Sequence, residues 1–136
     1  MHGLARGLFA LALVAQAAAA ADGSGNYAIW GEGGRSCNQY LRSVGEADER
    51  TRFTSFLMGY LTAYNALAPD TYSALGTYSL QDALGWLDGY CDLHKIDSFE
   101  RAVTQLLAVR HDARLRQPPG ARGGGWGRAT NAAPVP

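Results

Sequence analysis

Phe53-Thr54-Ser55-Phe56-Leu57-Met58-Gly59-Tyr60-Leu61-Thr62-Ala63-Tyr64 repeats bulky apolar side chains at spacings of three and four. Residues so spaced share one face of an α-helix, whereas a half-buried strand needs strict alternation. The stretch therefore predicts a helix with one broad apolar stripe: Phe53, Phe56, Leu57, Tyr60, Leu61 and Tyr64. It should run over roughly Glu49–Leu67 and stop at Pro69-Asp70, because the residue before a proline leaves the helical region. Gly59 and Ala63, one turn apart, leave room for another backbone to approach.

The same period continues on both sides. Ser36 can cap a short helix, Cys37–Ser43, with Cys37, Tyr40 and Leu41 facing inward. Thr71–Tyr78 reads as a tyrosine-bearing connection. Ser79, with Asp82 three residues on, approximates a capping box for a third helix whose core face is Leu80, Leu84, Leu87 and Cys91, flanked by Ala83 and Trp86. Asp97, with Glu100 as its partner, is expected to cap a fourth helix that buries Phe99, Val103, Leu106 and Leu107. No segment alternates with period two for more than a few residues, and no internal repeat is found. An all-α, four-helix array in one domain, residues 36–112, is the expectation.

The chain opens with what reads as a cleaved secretory leader, residues 1–21. Arg6 supplies the positive start, Leu8–Val14 the apolar run, and Ala19-Ala20-Ala21 the small-residue cleavage site. That apolar run is too short to span a bilayer, and no later one approaches the ~20 residues needed. No cysteine stands at the cleavage site to take a lipid, so no membrane anchor is expected. Export to the periplasm or beyond implies an oxidising compartment, where Cys37 and Cys91 should be disulfide-bonded rather than catalytic. A body this small gains little from one core, and a loop of that length would add roughly 4 kcal/mol on the chain-entropy model. Residues 22–35, rich in Gly and small polar side chains, read as a flexible lead-in on which Tyr27, Ile29 and Trp30 are the bulky apolar residues. Residues 113–136 form a basic tail rich in Pro and Gly, and from Gln117 on it has too few apolar side chains to offset the entropy of ordering.

The formal net charge of zero hides an asymmetry. Acids outnumber bases in the body, whereas Arg114, Arg116, Arg122 and Arg128 meet no acid in the tail. Catalytic, metal-binding and cofactor chemistry find no motif: outside the leader only His94 and His111 occur, neither in a ligand-spaced group. Asp88 and Asp92, four apart, read as a solvated pair with mild repulsion. Arg122-Gly123-Gly124 is a single unit of the kind repeated in nucleic-acid-binding tails, and it supports no nucleic-acid partner. The aromatic residues are more informative. Tyr60, Tyr64, Tyr72, Tyr78, Trp86 and Tyr90 are more than a small core comfortably buries, so some should form a partner surface or a homodimer interface.

Several elements together resemble the HdeA/HdeB-like family of small periplasmic helical proteins. They are Ser36-Cys37-Asn38-Gln39-Tyr40-Leu41, the central helix with Gly59-Tyr60, Leu87-Asp88-Gly89-Tyr90-Cys91, and Ser98-Phe99-Glu100-Arg101-Ala102-Val103. The likeness spans about residues 36–107. It implies a non-enzymatic, ATP-independent acid-stress holdase: a folded dimer at neutral pH that dissociates in acid and shields unfolded clients. Carboxylates with ordinary pKa values near 4 would lose their charge there, leaving the cations to repel one another. The chain departs from those chaperones in having one lysine, Lys95, and a long tail. The Gly59-Tyr60 helix and the second cysteine are also similar to Tai-type immunity proteins, which implies an alternative role as inhibitor of a secreted peptidoglycan hydrolase.

Overall fold

The structure, a computed structural model, describes residues 21–120. Within them the chain is all-α: α1 (Cys37–Arg42), α2 (Ala47–Leu67), α3 (Leu80–Leu93) and α4 (Phe99–Arg110), with short 3-10 turns at Gly31–Gly34 and His111–Ala113. Extended pairing among the described residues is confined to two isolated antiparallel bridges, Ser36 with Ser98 and Ser73 with Leu115. Nearly all of the leader and residues 121–136 of the tail lie outside the described residues.

Three of the four helices begin where the sequence supplies a side-chain acceptor for free N–H groups. The Ser36 hydroxyl accepts from the Gln39 N–H and the Gln39 side chain accepts from the Ser36 N–H, a complete capping box. Ser79 and Asp82 do the same for α3. α2 lacks a side-chain cap but carries Asp48 and Glu49 in its first turn, where negative charge favours the helix dipole. α4 corrects the expectation. Its cap is Ser98, whose hydroxyl accepts from the Arg101 N–H, while Glu100 is only 4% exposed and faces inward. Asp97 instead accepts the Tyr90 hydroxyl at 2.7 Å.

The core forms where the four apolar faces meet. Tyr40 of α1, Phe53 of α2 and Phe99 of α4 make an aromatic triad with centroids 4.5 to 5.3 Å apart, beneath which lie Leu57, Leu87, Val103 and Leu106. Cys37 and Cys91, both fully buried, are bonded and fasten α1 to α3. Arg50 of α2 lies over the Tyr40 ring and donates to both oxygens of Asp88 on α3. Of the residues expected inside, Leu41, Phe56, Tyr60, Tyr64, Leu80 and Trp86 pack against the core only partly buried.

Both ends extend the body beyond residues 36–112. Residues 27–35 of the lead-in fold back on it. The Tyr27 hydroxyl donates to Glu100, Gly33 is buried beneath the Phe56 ring, and Arg35 pairs with Glu32 and Glu49. The body also runs past Asp112. Leu115 exchanges backbone hydrogen bonds with Ser73, and Arg116 reaches Asp70 at 3.1 Å. Local composition favours freedom at both ends, but long-range partners on α2, α4 and the α2–α3 connection hold them.

Candidate functional site

The features that could meet another molecule concentrate on α3. Its buried face is Ala83, Leu84, Leu87 and Cys91. On the opposite side Gly85 and Gly89 are exposed, and a Cβ placed on either would meet nothing within 4 Å. Beside them the rings of Trp86, Tyr90 and His94 stack one turn apart, with centroids at 5.4 and 4.1 Å and planes within 16° and 6° of parallel. The four-residue spacing creates this column, because side chains at i, i+4 and i+8 stand above one another. The Tyr90 hydroxyl is anchored by Asp97, and burial followed by that carboxylate raises its pKa. With Leu93 beyond, the glycines and the aromatic column bound an open groove of about 450 Å³. Leu93 is 80% exposed, and Ile96, just past the helix, is 94% exposed.

A second cluster surrounds Glu100. Its carboxylate accepts hydroxyl hydrogens from Thr104 at 2.8 Å, Tyr60 at 3.0 Å and Tyr27 at 3.2 Å. Burial raises the pKa of Tyr60, and burial followed by the Glu100 charge raises that of Tyr27. The cluster lies where the lead-in, α2 and α4 converge, so its direct effect is to fasten the lead-in. Sequence reading missed it. Glu100 three residues after Asp97 matched a capping pattern, whereas Tyr27 and Glu100 are 73 positions apart with no local signal.

Of the six residues expected at a partner or dimer surface, the structure brings Trp86 and Tyr90 into ring contact on α3. Tyr60 serves Glu100, and Tyr64 packs against the core. Tyr78 lies beneath the Arg110 guanidinium at 3.8 Å, and Tyr72 sits half exposed on the connection, its N–H bonded to Leu115. The glycine floor and Leu93 were not singled out beforehand. The signal was present in the i, i+4 spacing of Gly85, Gly89 and Leu93, but small residues register poorly when apolar periodicity is the guide.

His94 is committed to the stack on Tyr90, its Nδ1 lying 3.0 Å from the Tyr90 carbonyl oxygen, and His111 sits exposed in the last 3-10 turn. Asp88 is held by Arg50 and Asp92 by Lys95, so the expected carboxylate pair is divided between two cations. Among the described residues no three or more His, Cys, Asp or Glu gather as metal ligands, and no helix is long and apolar enough to cross a membrane. The groove on α3 is lined mostly by carbon, a surface suited to apolar contact. No family model, curated protein or solved structure matches the chain.

Proposed function

We propose that this chain is an exported, non-enzymatic binding protein that shields unfolded clients in acid, an acid-stress holdase. One observation carries the reading: the polar ties between its elements end largely on carboxylates. Arg35 holds Glu49, Arg50 holds Asp88, Arg116 holds Asp70, Tyr60 and Tyr27 hold Glu100, and Tyr90 holds Asp97. In strong acid carboxylates as a class are protonated while arginine keeps its charge, so ties of this kind weaken and the arginines repel one another. The buried Cys37–Cys91 bond does not titrate, so the loosened chain stays tethered while its aromatic and aliphatic core becomes available to clients. Side chains such as Trp30 and Leu67, 82% and 83% exposed, extend that apolar surface in the folded state.

The test is suppression of client aggregation by the oxidised chain from Asp22 onward, with its compactness followed at pH 7 and at about pH 2–3, below all ordinary carboxylate values. Expansion accompanied by protection only in acid is expected. A compact, acid-stable particle that protects nothing would overturn the reading. The groove on α3, present in the folded chain, favours the alternative of an immunity-type inhibitor. That reading expects tight binding of one secreted peptidoglycan hydrolase at neutral pH, lost when Leu93 is made charged.

A further inference from the structure

The groove on α3 runs between Gly85 and Gly89 on one side and Trp86, Tyr90 and His94 on the other, and encloses about 450 Å³. An exposed acid stands about one turn beyond each glycine, Asp82 ahead of Gly85 and Asp92 after Gly89. Among the described residues the Asp82 carboxylate is engaged by Ser79 alone and that of Asp92 by Lys95 alone. α3 itself carries no Lys or Arg. The chain from Ala113 to its end has the opposite character, with Arg114, Arg116, Arg122 and Arg128 and no acid. Within it Arg122-Gly123-Gly124-Gly125-Trp126-Gly127-Arg128 sets one large aromatic residue among glycines, with an arginine on either side.

We propose that this segment docks on the α3 of its own chain, with the Trp126 ring in the groove and Arg122 and Arg128 drawn to Asp82 and Asp92. The groove lies within reach. Leu115 is pinned to Ser73 by backbone hydrogen bonds, and from Leu115 to Trp126 an extended chain spans up to about 36 Å. From Ser73 to Gly85 the chain runs no farther than about 29 Å, of which the last 9 Å or so are helical rise. Hydrogen bonds from the Gly76 N–H to Ser73 and from the Tyr78 N–H to Leu75 turn that connection twice, so the direct distance is shorter still. The tail leaves the body beside the connection that leads into α3, so on docking Arg122 comes nearer Asp82 and Arg128 nearer Asp92. The glycines of the two surfaces match. Those beside Trp126 leave its ring unobstructed, and Gly85 and Gly89 let a second backbone come close to the helix. An indole offers a large apolar surface to a groove lined mostly by carbon, and the arginines add charge complementarity. Only the few residues around Trp126 are held, so the contact has only their ordering entropy to offset. Tethering within one chain supplies an effective concentration in the ~mM range, which populates a contact too weak to form between separate molecules. The inference does not rest on the holdase reading, since docking in the folded chain and client protection in acid are separate observables.

Nuclear magnetic resonance of the oxidised chain from Asp22 to Pro136, at neutral pH, tests the contact. Nuclear Overhauser effects are expected between the Trp126 ring protons and the α-protons of Gly85 or Gly89. They should not change on dilution, because the contact lies within one chain. Trp126→Ala should shift the amide signals of Gly85, Gly89 and Tyr90 and leave those of the core around Phe53 in place. Gly85→Leu puts a better helix former where an added Cβ meets nothing within 4 Å, so the fold should survive. With the groove filled, the Trp126 indole N–H signal should move to the position of a solvent-exposed tryptophan. Reversing both charges, Arg122→Glu with Arg128→Glu, should cut the docked-to-free ratio several-fold at low salt and less at high salt. Amide signals on α3 that ignore Trp126→Ala, or a Trp126 signal that ignores Gly85→Leu, overturn the proposal. Contacts that fade on dilution put the segment on a second copy and overturn it too.

Discussion

Replacing Gly76 by alanine should destabilise the fold more than its half-buried position in a loop suggests. Gly76 has φ of +65°, a region that L side chains enter at a cost of roughly 1–2 kcal/mol. An added Cβ would also stand 2.2 Å from the Ala113 carbonyl oxygen and 3.2 Å from Arg110 Nη2. A backbone oxygen cannot swing aside as a side chain can, so the connection or the last 3-10 turn must move. That movement strains the hydrogen bonds from Arg110 to the Leu75 oxygen and the Ser73–Leu115 pairing, at an overpacking cost of about 1–3 kcal/mol. Alanine recovers about 0.4–1 kcal/mol by restricting the unfolded chain. The net expectation is a loss near 3 kcal/mol, or a midpoint lowered by at least ~10 °C in a domain of this size. The control is Gly59→Ala, mid-α2 with nothing within 4 Å of the new methyl, which should gain up to about 1 kcal/mol. Urea unfolding of the oxidised protein, followed by circular dichroism, gives both values. A Gly76→Ala protein within 0.5 kcal/mol of wild type, on the ~1 kcal/mol scale of a typical point mutant, or a Gly59→Ala loss as large as that of Gly76→Ala, would refute the reasoning.

Tyr60→Phe deletes a donor to a buried carboxylate and should cost roughly 1.5–3 kcal/mol, whereas Tyr27→Phe, whose ring is more than half exposed, should cost less; urea unfolding ranks them. The Ser79 hydroxyl and N–H hold Asp82 below its ordinary 3.8. The contribution of Asp82 is therefore present above 3.8 and fades as pH falls through the lowered value, and Asp82→Asn should flatten acid unfolding in that window. Tyr27, Tyr60 and Tyr90 have phenols raised above 10, so their contributions are whole below pH 10 and are lost as pH rises through the raised values. An alkaline titration followed by tyrosinate absorbance should show these phenols ionising late.

The sequence makes the helices legible because their information is local. Spacings of three and four locate α2, α3 and α4, and Ser36 and Ser79 mark two starts unaided. Where two capping residues stand side by side, local reading fails: Asp97 and Ser98 both precede α4, and the choice falls to Ser98 because Tyr90 claims the Asp97 carboxylate. The cysteine pair is legible from there being two cysteines and from the leader-like start that led export to be expected. The six aromatic residues are not resolved by counting, since abundance says that some must be exposed without saying which. Tyr60 and Trp86 have similar helical settings, yet a buried carboxylate across the core claims one and a column on the outer face of α3 claims the other. Gly85 and Gly89 shape the groove by lacking side chains, the kind of contribution a search for apolar periodicity passes over.

The contacts of the lead-in set an order of assembly. The Cys37 N–H bonds to Asp97, the Asn38 N–H to Lys95, and the Phe99 N–H returns to Arg35, while Tyr27 waits for Glu100. The first part of the body to leave the ribosome or cross a membrane thus finds its backbone partners only among the last. Neither α1 nor the segment before it can settle until the turn into α4 has arrived, and Cys37 meets Cys91 only a few residues sooner. Such long-range closure slows folding relative to a bundle of sequential hairpins. It also makes oxidation a marker of progress: the native bond forms efficiently only on a chain that is already through to the start of α4.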